Sequence, residues 1–341
     1  MKICFTYNVK HDLNYSTESS QEDIEFDSLE VIESIENTIK KLGHEVLKVE
    51  ATVDAYNILK ENRENIDLVF NIAEGLSGDA RESQIPLFCE VLGIPYTHSS
   101  PTTHALKLNK HLTKAVLKTA GIKSPKSQII YSLAQIKGIT LKYPLIVKPN
   151  KEGSSKGIFN DSIVRNLSEL KKAINRLIQD FGCEVLVEEY IDGREITVAL
   201  LGNPPKVLPI IEQRFDFLPK GFNKIAGYEA KWIYEDNLLD DPSISYICPA
   251  KLSKRIQKKV EDTSKQIWDI LNVKDCARID YRLRGNSLYF IEINTIPGMH
   301  PSTKVVSYFP VAARKAGMNY EHLIETIINA ALKRHKIVQS S

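Results

Sequence analysis

ARIDYRLRGNSLYFIEINTIPGM, residues 277–299, is the stretch that decides the fold and chemistry of this 341-residue chain. Two apolar runs flank a group of turn residues, which predicts a pair of adjacent strands. With the turn centred on Asn286, Asp280 lies opposite Glu292. Asn294 is two residues beyond Glu292 on the same strand, so both side chains point to one face. Carboxylate and amide oxygens arranged in this way favour a hard cation such as Mg2+.

The alternative for this segment is an ordinary hairpin whose polar residues face water. Arg278 and the Pro297-Gly298 pair argue against it, because they add a cation and a free backbone N–H beside the same strands. An unpaired carboxylate among apolar neighbours would also be costly. We therefore expect a site for metal and phosphate at this hairpin.

Composition excludes several classes of partner. The net charge is +2, with acidic and basic residues interspersed, so neither nucleic acid nor a membrane surface is an expected partner. No apolar run approaches the roughly 18 to 20 residues that span a bilayer, and the first residues lack a signal-peptide core. The five scattered cysteines contain no CxxC pair, which predicts reduced thiols in the cytoplasm and no zinc site.

Strand and helix patterns alternate along the chain. In the first hundred residues they predict a parallel sheet with crossover helices, from strands at 2–7, 45–49 and 67–71 and a helix at 29–42. Further helices are predicted at 81–92, 107–120, 168–180, 252–271 and 320–334, and further strands at 144–149, 184–190 and 195–201. Residues 212–245 show no periodicity and are expected to form a lid or binding loop.

Three further segments carry groups suited to a nucleotide. Lys148 ends a strand before the Gly/Ser loop 151–157, whose backbone can approach a phosphate closely. The strand 186–190 ends in carboxylates, and Glu195 follows a glycine turn, where it could accept ribose hydroxyls. Lys231 could close over phosphates as part of a lid. A solvated surface loop, a solvated strand end and an ordinary basic loop remain the alternatives.

In this order, these segments resemble the ATP-grasp superfamily, and within it the D-alanine–D-alanine ligase family. The resemblance runs from about residue 109 to the end, and so many matching strings in one order are not expected by chance. The strings are VKPNKEGSSKG (147–157), EEYIDGREITVALLG (188–202), YEAKW (228–232), ICPAKL (247–252), RIDYRL (278–283), FIEINTIPGM (290–299) and FPVAARKAGM (309–318).

The resemblance implies a mixed α/β and α+β ATP-grasp fold of three domains. These are an N-terminal Rossmann-like open sheet (1–100), a central ATP-binding lobe (101–192) and a C-terminal lobe with the metal site (193–341), with ATP between the last two. It implies a cytoplasmic ligase of peptidoglycan biosynthesis that joins a carboxylate to an amine through an acyl phosphate. ATP and Mg2+ are the implied cofactors, with two ions expected and Mn2+ as an alternative. The implied partners are small-molecule amino acids and, as usual in the family, a second copy of the chain.

The resemblance also assigns site residues by position. Catalytic roles fall to Arg278, Gly298, Ser154 and Lys231. Nucleotide-binding roles fall to Lys110, Lys148, Ser154, Ser155, Glu188, Glu189, Ile191, Glu195 and Lys231. The implied metal ligands are Asp280, Glu292 and Asn294. The implied substrate contacts are Ser307, Tyr308, Trp232 and Glu25.

The chain departs from the family pattern where the first substrate should bind. The N-terminal Gly-Gly-x-Ser-x-Glu string is absent, and Glu22 or Glu25 is the candidate for the role of its glutamate. Trp232 stands where the family usually has tyrosine. The loop 71–75, at a strand end, is expected either to line the altered pocket or to be a plain turn.

The segment after Gly298 is longer than usual, and Ser307 and Tyr308 best match the pair that holds the acceptor's carboxylate. Lys304 adds a positive charge there. These changes leave the joined amino acids and their chirality open, including a ligase for other amino acids. A small-molecule kinase and a non-catalytic nucleotide-binding module remain as alternatives, and Gly298 and Ser307 argue against the kinase.

Overall fold

A computed structural model describes residues 1–10, 23–235, 237–238 and 241–336, which form three β-sheets with helices packed on them. Within these residues, no helix is long and apolar enough to cross a membrane. The strands are β1 (Lys2–Tyr7), β2 (Glu45–Glu50), β3 (Leu68–Asn71), β4 (Ser127–Ile130), β5 (Leu145–Pro149), β6 (Ile163–Val164), β7 (Val185–Glu189), β8 (Arg194–Leu201), β9 (Lys206–Val207), β10 (Ile211–Gln213), β11 (Tyr246–Ile247), β12 (Cys276–Arg284) and β13 (Ser287–Asn294). The α-helices are α1 (Leu29–Lys41), α2 (Ala55–Asn62), α3 (Gln84–Leu92), α4 (Pro101–Leu108), α5 (Lys110–Thr119), α6 (Leu167–Phe181), α7 (Lys254–Ile270), α8 (Tyr308–Lys315) and α9 (Tyr320–Arg334).

The first sheet has the order β2-β1-β3 and is parallel, as the sequence predicts. Helix α1 begins after Ser28, whose Oγ accepts a hydrogen bond from the N–H of Val31 at 3.4 Å. The same helix packs against α9, so the last helix of the chain covers part of the N-terminal core. The two ends of the chain therefore share one hydrophobic core.

The second sheet has the order β4-β7-β5-β6, with antiparallel neighbours. Helix α6 covers one face with buried apolar residues. In the pairing of β5 with β7, Lys148 lies opposite Leu186. Glu188 is two residues beyond Leu186, so the side chains of Lys148 and Glu188 share a face of this sheet.

The third sheet has the order β11-β10-β8-β12-β13, with β9 paired to β8. The predicted pairing of Asp280 with Glu292 is confirmed, but the predicted centre of the turn is wrong. The turn consists of Gly285 and Asn286, because Arg284 pairs with Ser287, and the register shifts at a bulge next to Asp280. At the bulge, Ile291 of β13 has no partner on β12. This extra residue offsets the shifted turn, so Asp280 still lies opposite Glu292.

The prediction of a single helix at 107–120 is also wrong, because the chain forms two helices there, the end of α4 and the whole of α5. Asn109 has ψ 95°, outside the helical region, and its Oδ1 accepts a hydrogen bond from the N–H of Leu112 at 3.0 Å. An asparagine that caps the helix after it cannot also continue the helix before it. The break places Lys110 at the first position of α5.

The region 212–245 is less irregular than predicted. It contains a π-helix at Glu229–Glu235, and a 3-10 turn at Pro242–Ser245 leads into β11. The helix predicted at 81–92 begins as a 3-10 turn, Arg81–Ser83. Strand β4 and helix α8 were not predicted, because both are short and carry little periodic signal.

Gly75 tests how tightly the loop after β3 packs. Its φ is +78°, and an added Cβ would lie 2.2 Å from the carbonyl oxygen of Arg81. We expect Gly75→Ala to cost about 1 to 2 kcal/mol for the left-handed backbone and about 1 to 3 kcal/mol more for overpacking. Gly43→Ala is the matched control, because Gly43 has φ +83° and nothing within 4 Å of the added atom. Equal shifts in the thermal unfolding midpoint of the two variants would contradict this packing.

Candidate active site

A cavity of about 470 Å3 is lined by residues from the regions of all three sheets. Every site residue that the sequence analysis assigned lies on its wall. These residues are Glu25, Lys110, Lys148, Ser154, Ser155, Glu188, Glu189, Ile191, Glu195, Lys231, Trp232, Arg278, Asp280, Glu292, Asn294, Gly298, Ser307 and Tyr308. Glu22, the other candidate for the N-terminal glutamate, lies outside the described residues.

Two carboxylates and an arginine meet on the hairpin of β12 and β13. Asp280 and Glu292 are direct partners across the strands. Arg278 donates from Nη2 and Nε to Asp280 Oδ2, at 2.9 Å and 3.2 Å. The hydroxyl of Thr197 on β8 donates to Asp280 Oδ1 at 2.7 Å. Asn294 Oδ1 accepts a hydrogen bond from the backbone N–H two residues on, at 3.1 Å, which fixes the end of β13.

Nearby cations control the ionisation of this pair. Burial raises the pKa of Asp280, and the adjacent Glu292 carboxylate adds to the rise. Burial would also raise the pKa of Glu292, but Lys110, Lys148 and Arg278 outweigh it, so the pKa of Glu292 is lowered. Lys110 Nζ lies 3.8 Å from Glu292 Oε2. The two carboxylates form an anionic point on the cavity wall at which added positive charge would be stabilised.

A buried glutamate fixes the lysine of β5. Lys148 Nζ lies 2.8 Å from Glu188 Oε2, and Lys114 on α5 pairs with the other oxygen of Glu188. Burial would raise the pKa of Glu188, but the two lysines lower it to about 2. Glu188 is thus a charged anchor between two cations, and Lys148 faces the cavity from a fixed position.

The strand ends beside this anchor supply further cavity residues. Glu195 at the start of β8 pairs with Arg282, whose Nη2 lies 2.6 Å from Glu195 Oε2. Arg282 also donates to the carbonyl oxygens of Gly193 and Lys224, at 3.0 Å and 2.8 Å. Burial raises the pKa of Glu195. Glu189 and Ile191 line the same region, at the end of β7.

The loop after β5 is joined to the π-helix. Ser154 and Ser155 have positive φ values of 48° and 63°, so this loop turns sharply. The indole Nε1 of Trp232 donates to the carbonyl oxygen of Ser154 at 3.0 Å, and Ser155 Oγ donates to Ala226 O at 2.7 Å. Lys231 Nζ lies 4.5 Å from the Trp232 ring centre. Tryptophan therefore supplies a ring and an N–H where the family usually has a tyrosine hydroxyl.

The segment before α8 forms another wall of the cavity. Ser307 Oγ donates to the carbonyl oxygen of Gly298 at 2.8 Å, which ties the two ends of this segment together. The hydroxyl of Tyr308 donates to Glu235 Oε1 of the π-helix at 2.8 Å. Tyr308 thus links the start of α8 to the element that carries Lys231.

Glu25 and Arg81 clamp the loop after β5 from the N-terminal region. Arg81 Nη2 lies 2.6 Å from Glu25 Oε2 and 3.3 Å from Glu152 Oε2, and Nη1 donates to Lys151 O at 3.1 Å. The backbone N–H of Gly153 donates to the other oxygen of Glu25. Burial would lower the pKa of Arg81, but the carboxylates of Glu25 and Glu152 outweigh this effect, so the pKa is raised. Both oxygens of Glu25 are already engaged in the clamp.

Several cavity or supporting residues were missed by sequence reasoning. Lys114 is four residues after Lys110, so the helical repeat could have indicated a second lysine on one face. Glu74 entered only as part of the loop 71–75. The contacts of the others join distant parts of the chain and have no local signal. The missed residues are Asp27, Arg81, Lys114, Glu152, Thr197, Glu235 and Arg282.

Two solved structures share the fold over nearly the whole chain. A D-alanine–D-alanine ligase structure from Bacillus anthracis has a TM-score of 0.73 and 25% identity, and covers 98% of this chain and 99% of that chain. Another from the same organism, a complex with ATP, has a TM-score of 0.72, the same coverage and 23% identity. The fold is that of an ATP-grasp ligase, an enzyme that forms carbon–nitrogen bonds.

Sequence comparison identifies the family. The family model "D-ala D-ala ligase C-terminus" matches residues 114–329. A D-alanine–D-alanine ligase of Desulforudis audaxviator is 32% identical over 302 residues, which covers 87% of this chain and 90% of that protein. The uncharacterized protein y4sG of Sinorhizobium fredii is 31% identical over 313 residues, with 89% and 88% covered. The chain belongs to the D-alanine–D-alanine ligase family, which confirms the resemblance.

The clamp predicts a specific effect on nucleotide affinity. Arg81→Ala removes the cation that joins Glu25 to the loop after β5, so we expect the Kd for Mg-ADP to rise about 10-fold, as for a lost charge-assisted contact. Arg81→Lys should recover only part of the loss, because lysine cannot reproduce the forked contacts. Arg63→Ala is the control, since Arg63 pairs with Glu64 at the exposed surface. An unchanged Kd in Arg81→Ala, measured by calorimetry, would contradict the clamp.

Asp27 predicts a pH dependence of stability. Burial raises the pKa of this carboxyl to about 7, although Lys231 lowers it in part. An aspartate in the unfolded chain has a pKa of about 3.9. Because the folded state favours the protonated carboxyl, the contribution of Asp27 to the free energy of unfolding is complete below that pH and is lost as pH rises through about 7. Asn cannot ionise, so Asp27→Asn should raise the unfolding midpoint more at pH 8 than at pH 5. A midpoint difference that does not change with pH would contradict the burial of this charge.

Proposed function

We propose that this chain joins the carboxylate of one amino acid to the amine of another, with D-alanine as the simplest case of each. The products are a dipeptide, ADP and phosphate, and in the simplest case the dipeptide serves peptidoglycan biosynthesis. The observation that carries this proposal is that the cationic groups, the paired carboxylates, Gly298 and Ser307 all line one cavity.

In the first step, an oxygen of the substrate carboxylate attacks the γ-phosphorus of ATP, and the bond to the ADP oxygen breaks. An acyl phosphate and ADP result. Negative charge gathers on the phosphoryl oxygens during this transfer. Lys110, Lys148 and Arg278 line the cavity as fixed cations suited to that charge. Lys231, on the π-helix, is suited to hold the phosphates from the lid side.

In the second step, the amine nitrogen of the acceptor attacks the acyl carbon, and the bond from that carbon to the phosphate oxygen breaks. The acceptor ammonium first gives one proton to solvent, and the attacking nitrogen gives a second to the departing phosphate as the amide forms. The backbone N–H of Gly298 is assigned to the oxyanion of the tetrahedral intermediate. Ser307, together with Tyr308, is assigned to the acceptor's carboxylate.

Mg2+ fits the donor set of the hairpin. Asp280 and Glu292 are opposed, with Asp280 buried and Glu292 partly exposed to the cavity, and Asn294 on the same strand as Glu292 adds an amide oxygen. In the described part of the chain, no group of three or more His, Cys, Asp or Glu side chains could hold a metal by itself. The ATP phosphates are therefore assigned the remaining ligand positions, as is common for Mg2+. Bound Mg2+ would neutralise phosphate charge.

We place ATP between the central and C-terminal sheets. The proposed boundaries between the three domains lie near residues 100 and 192. Glu189 and Ile191 are assigned to the adenine edge through their backbone groups, and Glu195 to the ribose. Ser154 and Ser155 are assigned to the loop that covers the phosphates.

The proposal predicts amine-dependent phosphate release from Mg-ATP. We would present the protein with a panel of single and paired D- and L-amino acids and identify products by mass. D-alanine alone should give D-Ala–D-Ala, or another pair should give its own amide, and EDTA should abolish release. Arg278→Ala is the matched inactive control, with an expected loss of about 100- to 1,000-fold in kcat.

A phosphorylated product without an added amine would contradict the ligase and establish a kinase. Binding of Mg-ATP with no release for any pair in the panel would establish a nucleotide-binding module instead. A dipeptide other than D-Ala–D-Ala would keep the chemistry and change the substrates.

A further inference from the structure

Glu235 and Tyr308 form a hydrogen-bonded pair on the cavity wall, which we call the Glu–Tyr pair. Glu235 is the last residue of the π-helix, and Tyr308 is the first residue of α8. The contact spans 73 positions of the chain, and Glu235 is buried in the cavity wall. π-Helical turns are rare and are frequent at functional sites. The pair therefore fixes a carboxylate of the π-helix beside the segment that ends in α8.

This segment is the one assigned to the acceptor. Ser307 directly precedes Tyr308, and its Oγ donates to the carbonyl oxygen of Gly298 at 2.8 Å. A Cβ added to Gly298 would lie 3.7 Å from the same Oγ, so the two residues are adjacent. The ring of Tyr308 packs edge-on against Tyr246, with 6.3 Å between the ring centres. An acceptor with its carboxylate at Ser307 would thus hold its nitrogen between Gly298 and the Glu–Tyr pair.

The electrostatics assign different roles to the two members of the pair. Burial raises the pKa of Tyr308 well above its usual range, and the Glu235 carboxylate adds to the rise, while Arg278 offsets part of it. The phenol therefore stays protonated and donates to Glu235. The effect of Arg278 on the phenol also shows that the pair lies near the cation assigned to the phosphoryl group.

Two nitrogen-bearing rings on the same cavity wall are poor proton acceptors. The indole of Trp232 is a donor only, and its N–H is bound to the carbonyl oxygen of Ser154 at 3.0 Å. His300 Nδ1 accepts from the N–H of Ser302 at 3.2 Å, and His300 Nε2 lies 3.7 Å from Glu30 Oε2. Both nitrogens of His300 are therefore engaged away from the acceptor.

The carboxylates of the β-strands already have other tasks. Asp280 accepts from Arg278, and Asp280 and Glu292 are the proposed ligands of Mg2+. Glu195 is paired with Arg282 and assigned to the ribose. Glu235 is carried by a separate element, the π-helix, and it is joined to the acceptor segment through Tyr308.

We propose that Glu235 takes the first proton of the acceptor ammonium on its way to solvent, and that Tyr308 is the positioning residue for Glu235. One N–H bond of the ammonium breaks, the electron pair stays on nitrogen, and an O–H bond forms on the carboxylate. Glu235 then gives this proton to solvent and is ionised again. The cations of the cavity favour the step, because nearby positive charge disfavours an ammonium. The inference rests on the proposed ligase function and names the residue through which its proton leaves.

Glu235→Gln tests the proton transfer, because glutamine still accepts from Tyr308 but cannot take a proton. With the amino-acid pair that wild type joins best, we expect kcat for the amide to fall about 100-fold at pH 7, as for the loss of a general base. The loss relative to wild type should shrink at pH 9.5, where more of the acceptor is already an amine. Hydroxylamine is largely unprotonated at pH 7, so hydroxamate formation from the donor should stay within about 2-fold of wild type.

Three further variants separate proton transfer from structure. Glu229→Gln is the matched control on the same π-helix, because Glu229 only accepts from the N–H of Asn160, at 3.0 Å and 3.1 Å, and glutamine can do the same. It should leave both products unchanged. Glu235→Asp keeps a carboxylate and should lose less amide than Glu235→Gln. Tyr308→Phe should lose about 10-fold at pH 7, as for one hydrogen bond to a charged group, with hydroxamate preserved.

Each contrary result has a separate meaning. Equal losses of amide and hydroxamate in Glu235→Gln would show that the residue only holds the π-helix, and would overturn the inference. An unchanged amide rate, or a loss that stays constant from pH 7 to pH 9.5, would overturn it as well, while the ligase would stand. If wild type forms hydroxamate but no amide with any amine, the acyl phosphate stands, and the ligase and this inference both fail. If it forms neither product, both fail together with the acyl phosphate.

Discussion

The active-site cavity depends on one electrostatic constraint: two carboxylates, the buried Asp280 and the partly exposed Glu292, lie directly opposite each other on its wall. Like charges at this separation are costly in a poorly solvated site unless cations surround them. Lys110, Lys148 and Arg278 supply those cations from a helix and two strands. Because each group is held by its neighbours, loss of any one would leave a buried charge uncompensated. The same balance of charge is what phosphoryl transfer requires.

The hairpin shows why part of this site could be predicted from sequence. Alternating apolar and polar residues fix which side chains share a face, since a strand repeats every two residues. The bulge beside Asp280 has no such signal, and it shifts the register by one residue. The expected pairing with Glu292 is correct because the bulge compensates for a misplaced turn. The break at Asn109 shows the same limit, because helix periodicity continues across a residue that caps the next helix.

Other features could not be predicted because they join distant segments. Arg81 meets Glu25 across 56 positions and Lys151 across 70. No local pattern specifies which acid among several will pair with a given arginine, since that choice follows from how the N-terminal region docks on the central sheet.

The residues assigned to phosphate and metal lie on a different kind of element from those assigned to substrate. Lys148, Glu188, Asp280 and Glu292 lie on paired strands, where a one-residue shift would turn the side chain to the other face. The segment before Ser307 and the π-helix lie in connections between strands and helices, and such connections tolerate changes in length and side chain without moving a sheet. Within this architecture, family membership constrains the phosphoryl chemistry more tightly than it constrains the amino acids. A change in these connections can therefore alter the substrate while the charges around Asp280 and Glu292 stay in place.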